Sequence, residues 1–259
     1  MKKGNLSEKK MDRLPQPSAE LLKNETDEGA RKAFRADRNA GTDAEPVAAP
    51  TAPDTPLSRF VRSMIIDYKK WHDGMGYDLE ALGLASADER LAIEKILISS
   101  KGRDWRDIEV LAEMDTPRSR KALSEAFVEG DSQVRMAVIS YLPDIVNYNE
   151  KVDAIVHSLR VGNIYGGLSH TLDLVEEFHP PEVVGELFRG TQEREGEVAM
   201  NFAAMLLFIH GKAEEPFDWS QRPFLLRFNT QEVGERREAY LEMCRKIGVK
   251  AEDHSVWMT

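Results

Sequence analysis

His72-Asp73, set between Trp71 and Tyr77, is the most enzyme-like patch in the chain. An imidazole beside a carboxylate is the composition of a general base. Neighbours in sequence need not hydrogen-bond each other, though, and Gly74 and Gly76 place a tight turn there. A structural cap is the preferred reading, and catalysis the lesser one. The other histidines are His157, His170, His179, His210 and His254. None has a second histidine at i+3 or i+4, so no helix offers the two-histidine face of a metalloenzyme. Glu176, Glu177 and His179 crowd together ahead of Pro180-Pro181, where a helix end accounts for them. No metal and no cofactor is expected.

The single cysteine, Cys244, excludes an internal disulfide framework and a Cys-rich metal site. It shares helical spacing with Tyr240, Met243 and Ile247, which makes it a small core residue rather than a nucleophile. No Gly-x-Ser-x-Gly, P-loop or dinucleotide fingerprint is present. Gly166-Gly167 flank a helix start that could meet a phosphate, but the nearby base in sequence is Arg160, and a repeat turn is preferred. Arg135 with Asp131 at i−4 reads as a structural tie between turns.

Acid is the remaining chemical signal. The chain has 35 basic and 45 acidic residues, a net charge of −10. Ten of each fall before Leu57, so 25 and 35 remain beyond it and the whole excess sits there. That balance argues against a direct grip on nucleic acid, whose affinity comes from Lys and Arg neutralising phosphates. Glu129, Asp131, Asp173, Glu176, Glu177, Glu193, Glu195, Glu197, Glu214 and Glu215 lie at or near the helical elements. A charge run is most simply a solvated face; on an extended surface it also speeds capture of a basic partner.

These residues are positioned by helices. Residues 1–56 hold one aromatic, Phe34, and six of the twelve prolines. Such a segment cannot bury enough apolar surface to offset its ordering entropy, so a disordered tail is expected. Within it, residues 46–56 form a Pro/Ala linker, and a short helix around Ala19–Phe34 is conceivable as a docking segment. From Leu57, the residues Leu57, Phe60, Val61, Met64, Ile65 and Tyr68 form one helical stripe. Ser86 with Glu89 is a capping box, and Thr116-Pro117 supplies an N-cap and a first-turn proline. No stretch alternates with period two, so the body is all-α. The longest apolar run, Val198–Ile209, is too short for a bilayer and reads as a helix buried on most of its circumference. The N-terminus lacks the apolar core of a signal peptide, and a reducing cytoplasm is the expected compartment.

After Thr116 the helices come in pairs: 118–129 with 131–142, 152–161 with 164–178, and 182–189 with 195–210. Gly130, Gly162 and Gly190 close each first helix, at spacings of 32 and 28 residues that suit a helix–turn–helix repeat. Glycine at those points is expected to supply a left-handed cap. The stretch from Ala122 to Leu142 carries a short first helix, Gly130-Asp131, then Val134-Arg135 and the small Ala137. It resembles a HEAT-like repeat of the phycobilin-lyase type, and the resemblance covers about residues 104–210. The two following pairs lack the Val-Arg dipeptide after their glycines. The resemblance implies an α-α superhelix of helix pairs, capped by residues 57–103 and 211–259. That class includes scaffolds, lyases and partner-binding proteins.

The functional expectation is a non-catalytic protein-binding module with an acidic concave surface, such as a bacterial immunity or adaptor protein that blocks a basic toxin. The second helix of each pair lines the inner curve of such arrays, which makes Tyr165, His170, Asp173, Glu177, Glu197 and Asn201 the expected contact residues. The alternative is a HEAT-repeat lyase or isomerase acting on a bound prosthetic group near Trp71, His72, Asp73 and Tyr77. Binding of damaged DNA ranks last, because the acid excess opposes it.

Overall fold

A computed structural model of the protein describes residues 54–100, 104–164, 167–254 and 256. Among them are thirteen α-helices and no strand. They are α1 (Pro56–Ser63), α2 (Tyr68–His72), α3 (Leu79–Leu84), α4 (Ala87–Ser99), α5 (Trp105–Met114), α6 (Pro117–Glu129) and α7 (Ser132–Tyr141). There follow α8 (Tyr148–Val161), α9 (Leu168–Glu177), α10 (Pro181–Glu193), α11 (Gly196–Ile209), α12 (Arg222–Leu225) and α13 (Val233–Ile247). No helix among the described residues is long and apolar enough to cross a membrane. The expected helix near 19–34 lies outside the described residues, as does the linker up to Pro53. Thr55 and Pro56, assigned to the linker from sequence, are instead the N-cap and first residue of α1.

The described residues divide into two compact units, Ile65–Met75 and the remainder. In the first, Asp67 caps α2 by accepting from the Lys70 amide at 2.8 Å, and Lys70 Nζ donates to the Ile65 carbonyl at 2.9 Å. The Leu57–Tyr68 stripe therefore does not form one helix: α1 ends at Met64. Periodicity registers apolar spacing only. A β-branched Ile65-Ile66 pair followed by a capping Asp favours a break, because the Asp carboxylate satisfies the amides of a new helix start.

In the larger unit the caps are local and legible. Ser86 accepts from the Glu89 amide while Glu89 accepts from the Ser86 amide at 2.9 Å, starting α4. Thr116 accepts from the Ser119 amide at 3.0 Å with Pro117 in the first turn of α6. Asp131 starts α7 by accepting from the Val134 amide at 3.0 Å, and Arg135 donates to the Val128 carbonyl at 3.1 Å, tying α7 to the end of α6.

Packing is sequential. Each helix from α5 to α8 rests on the next, α10 rests on α11, and α5, α7, α9 and α11 each also pack on the following member of that set, as α8 does on α10. Helix α1 packs on α3 and α4, while α13 packs on α10 and α11. One apolar core gathers Phe60, Leu82, Ile93, Leu97, Ile108 and Leu111; a second gathers Ile155, Leu187, Phe188, Phe202, Phe228 and Tyr240. Helix α7 joins them, giving Val138 to the first and Ile139 to the second. Each such side chain contributes about 1.5–3 kcal/mol by leaving water. Helix α11 is buried nearly all round, from Ala199 through Phe202 to Leu207, which explains its apolar sequence. Cys244 lies in the second core, 1% exposed, and burial pushes its thiol up.

The three glycines behave differently from expectation. Gly130 and Gly162 do cap α6 and α8, but in extended rather than left-handed backbone. Gly190 caps nothing: α10 continues to Glu193, and this glycine lies against the Phe202 ring of α11.

Candidate functional site

The first turn of α5 begins Asp104-Trp105-Arg106-Asp107. Asp104 is the N-cap, accepting from the Arg106 amide at 2.7 Å, and its other oxygen accepts from the Arg106 guanidinium at 2.8 Å. Arg106 and Asp107 are nearly sealed from solvent, 3% and 2% exposed. A guanidinium can be buried there because Asp104 pairs with it and the Trp105 ring lies 4.6 Å from its central carbon. Tyr77 closes the other side: its hydroxyl donates to Asp107 at 3.1 Å, and its ring packs edge-on against Phe60. Burial first, then the Asp107 charge, pushes the Tyr77 phenol well above its ordinary range, so it stays a donor.

One turn further along α5 lies Glu109, on the same face as Trp105. Tyr141, at the end of α7, lies near the Glu109 carboxylate, and burial first, then that charge, pushes its phenol well above its ordinary range. The chain at Gly76 passes directly over both Glu109 and Trp105. A Cβ on Gly76 would stand 3.0 Å from Glu109 Oε2 and 3.8 Å from the Trp105 ring. Burial pushes the Glu109 carboxyl up, against the opposing pull of Tyr141 and Arg106. His170, near the start of α9, sets its ring 5.8 Å from that of Trp105 at 54°. Burial and the Arg106 charge hold its imidazole below its ordinary value, and it is neutral at pH 7. Among the described residues, the loop at 76–77 and the successively packed helices α5, α7 and α9 thus bring together a tryptophan, two tyrosines, a histidine, three carboxylates and one guanidinium. Perturbed ionisation of several groups in one place marks functional sites more often than bystander surface.

The expected contact residues fall into distinct settings. His170 belongs to this cluster and is half-buried. Asp173 and Glu177 continue its stripe along α9 and are exposed. Glu197 is exposed on α11, and Asn201, one turn on, spends its amide on the Glu197 carbonyl at 2.7 Å. Tyr165 lies outside the described residues. Arg106, Glu109 and Tyr141 escaped the sequence reading; the signal available was the acid–aromatic–cation–acid run opening α5.

The other sequence candidates resolve as follows. His72 and Asp73 do approach, Nδ1 to Oδ1 at 3.2 Å, but both are about half exposed. His179 closes α9, its Nδ1 donating to the Val175 carbonyl at 2.9 Å. His210 and His254 flank the Phe188 ring, His254 stacked on it at 4.1 Å and His210 edge-on at 6.1 Å. Among the described residues, no group of three His, Cys, Asp or Glu is arranged to hold a metal ion.

No protein-family model matches the chain, and no match is found among curated proteins or among solved structures.

Proposed function

We propose that the protein is a non-catalytic partner-binding module, a HEAT-like superhelix whose acidic inner face takes a basic polypeptide in the manner of an immunity or adaptor protein. The observation that carries this reading is the run of exposed carboxylates Asp173, Glu177 and Glu197 on α9 and α11, two helices that pack on each other in one layer. Helices stacked in a row give an extended face, and the −10 charge falling beyond residue 56 gives it one sign. A field of one sign steers an oppositely charged protein and raises its association rate. The partner is then basic, and its capture weakens as salt rises.

The test is affinity capture from the source cells with the intact chain and with a variant carrying Asp173→Lys, Glu177→Lys and Glu197→Lys. The wild type is expected to retain a basic protein in stoichiometric amount, and the variant to lose it. Recovery of no stoichiometric partner, or equal recovery by the variant, overturns the reading.

A further inference from the structure

We propose that residues 251–256 form a pH-sensitive latch, docked along α10 at neutral pH and released in acid, when His210 and His254 both carry charge against the Phe188 ring. The proposal does not depend on the partner-binding reading.

The latch is held by a few local contacts. Gln192 of α10 is 1% exposed; its Nε2 donates to the His254 carbonyl at 2.8 Å and its Oε1 accepts from the Val256 amide at 2.9 Å. Tyr240 of α13 donates its hydroxyl to the Ala251 carbonyl at 3.2 Å. These bonds reach main-chain atoms. A side-chain contact comes from His254, whose ring lies flat on Phe188, with 4.1 Å between centroids and 7° between planes. No residue of the turn Ala251–His254 is fully buried, and Gly248, left-handed at φ 77°, ends α13 just ahead of it. A segment with so little buried surface opens more easily than the helices beneath it, and the glycine gives it a hinge.

Charge decides when it opens. His210, at the end of α11, approaches the same Phe188 ring edge-on at 6.1 Å, and Phe188 is 1% exposed. The His210 Nε2 is shut off from solvent and meets no hydrogen-bond partner among the described residues. A neutral imidazole with its proton on Nδ1 tolerates that position; a cation would bury an N–H with nothing to accept it. Burial first, then the charges of His254 and His179, hold the His210 imidazole below its ordinary value. No carboxylate offsets them: the one histidine–carboxylate ion pair among the described residues is His72 with Asp73. On α10, Arg189 pairs with Glu186 and Glu193, and Arg227 pairs with Glu242 of α13. On the latch itself Glu252 and Asp253 are exposed, as is Lys212 after His210. Tyr240 and Cys244 of α13 stay neutral, because burial pushes both up. Opening lets water reach His210 and parts it from His254, so the open form takes up the proton that the closed form resists. Each such proton raises the open-to-closed ratio about tenfold per pH unit below the ordinary histidine value.

The experiment uses the full chain and heteronuclear NOE measurements on the backbone amides of Glu252, His254 and Val256 at pH 7.5 and 5.5. These report motion on the ps–ns scale. The wild type is expected to be rigid there at pH 7.5 and mobile at pH 5.5, while the amides of α5 to α8 stay rigid at both. A latch equally rigid at the two values overturns the proposal, and so does loss of order throughout the chain at pH 5.5. His254→Phe keeps a flat ring on Phe188 but cannot charge, and combined with His210→Asn it is expected to lower the pH of release by at least about one unit. Release of that double variant at the wild-type pH overturns the proposal as well. Gln192→Leu, close to glutamine in size, removes both main-chain bonds and is expected to leave the latch mobile already at pH 7.5, with the helices intact. A rigid latch in that variant contradicts the docking and the proposal with it.

Discussion

Gly190 of α10 lies directly against the Phe202 ring of α11, and replacing it with alanine tests whether these helices pair as described. A Cβ there would lie 2.2 and 2.3 Å from two carbons of the Phe202 ring, where carbon contacts settle at roughly 3.5–4.0 Å. The ring would have to retreat by more than about 1 Å. Phe202 is fully buried among Leu187, Ala203 and Leu206, so there is no vacant space to receive it. Overpacking of this kind costs about 1–3 kcal/mol. Alanine's helix preference over glycine returns about 0.5–1 kcal/mol. A net loss of about 1–2 kcal/mol lowers the melting temperature of a domain of this size by roughly 2–8 °C. Urea unfolding followed by circular dichroism measures it, with an unchanged slope expected because the exposed area hardly differs. Phe202→Leu, itself destabilising through the space it vacates, should cost less in the Gly190→Ala background than alone, by about 1 kcal/mol. A Gly190→Ala protein as stable as the wild type, or strictly additive effects of the two changes, would refute the close contact.

Two further outcomes follow from buried polar groups. Thr116 caps α6 and donates its hydroxyl to Glu94, which is 4% exposed. Thr116→Val keeps the shape but loses both bonds. Chemical denaturation should record a loss of about 2–4 kcal/mol, a cap plus an unpaired buried carboxylate, and a loss below about 0.5 kcal/mol contradicts the assignment. Burial holds the imidazoles of His170 and His210 below their ordinary value, with His254 and His179 adding to the effect on His210. The unfolded chain takes up these protons near pH ~6.5 and the folded chain only at lower pH. Stability is therefore full above that value and falls as pH drops below it. Melting temperature should decline from pH 7.5 to 5.5, and less steeply in a His170→Asn, His210→Asn double variant; parallel profiles for the two proteins would exclude the histidines as the cause.

What the sequence made legible was whatever a few adjacent residues decide alone. Ser86 with Glu89, and Thr116 with Pro117, set their helix starts whatever the rest of the chain does. The apolar Val198–Ile209 run announced a buried helix because burial on all sides leaves no polar face to write. Failures came where one letter serves two physical purposes. Glycine marks both a turn and a close approach, so Gly190 passed for a cap. An apolar spacing of three and four continues across a break, so Asp67 was overlooked. The cluster on α5 was harder still. Arg106 reads as an ordinary helix-surface charge, and it becomes a buried one only when the loop at Tyr77 and the starts of α5 and α9 converge on it. Trp105 and His170 are far apart in the chain, and each is unremarkable by itself. Two members carried a signal: Tyr77, which pointed to His72 and Asp73, and His170, a polar residue on the second helix of a pair, which pointed along α9 and α11; neither pointed to α5.

The origin of the cluster bears on what can disturb it. Its rings and carboxylates come from α5, α7 and α9, successive members of one layer, so their separations are helix-to-helix spacings rather than loop conformations. One such spacing is visible at Gly167, whose backbone is left-handed and whose added Cβ would fall 2.5 Å from the Gln133 side chain on α7. That glycine lets α9 begin close to α7, three residues before His170. The apolar interior beneath these helices therefore fixes the position of the polar groups above it, and Glu109 sits partly buried among them, its carboxyl pushed up by that burial. Natural chains keep such local costs where activity or binding needs them and offset them elsewhere. The well-capped helices and the two apolar cores supply that offset here, which is why removing the Glu109 charge should strengthen the fold.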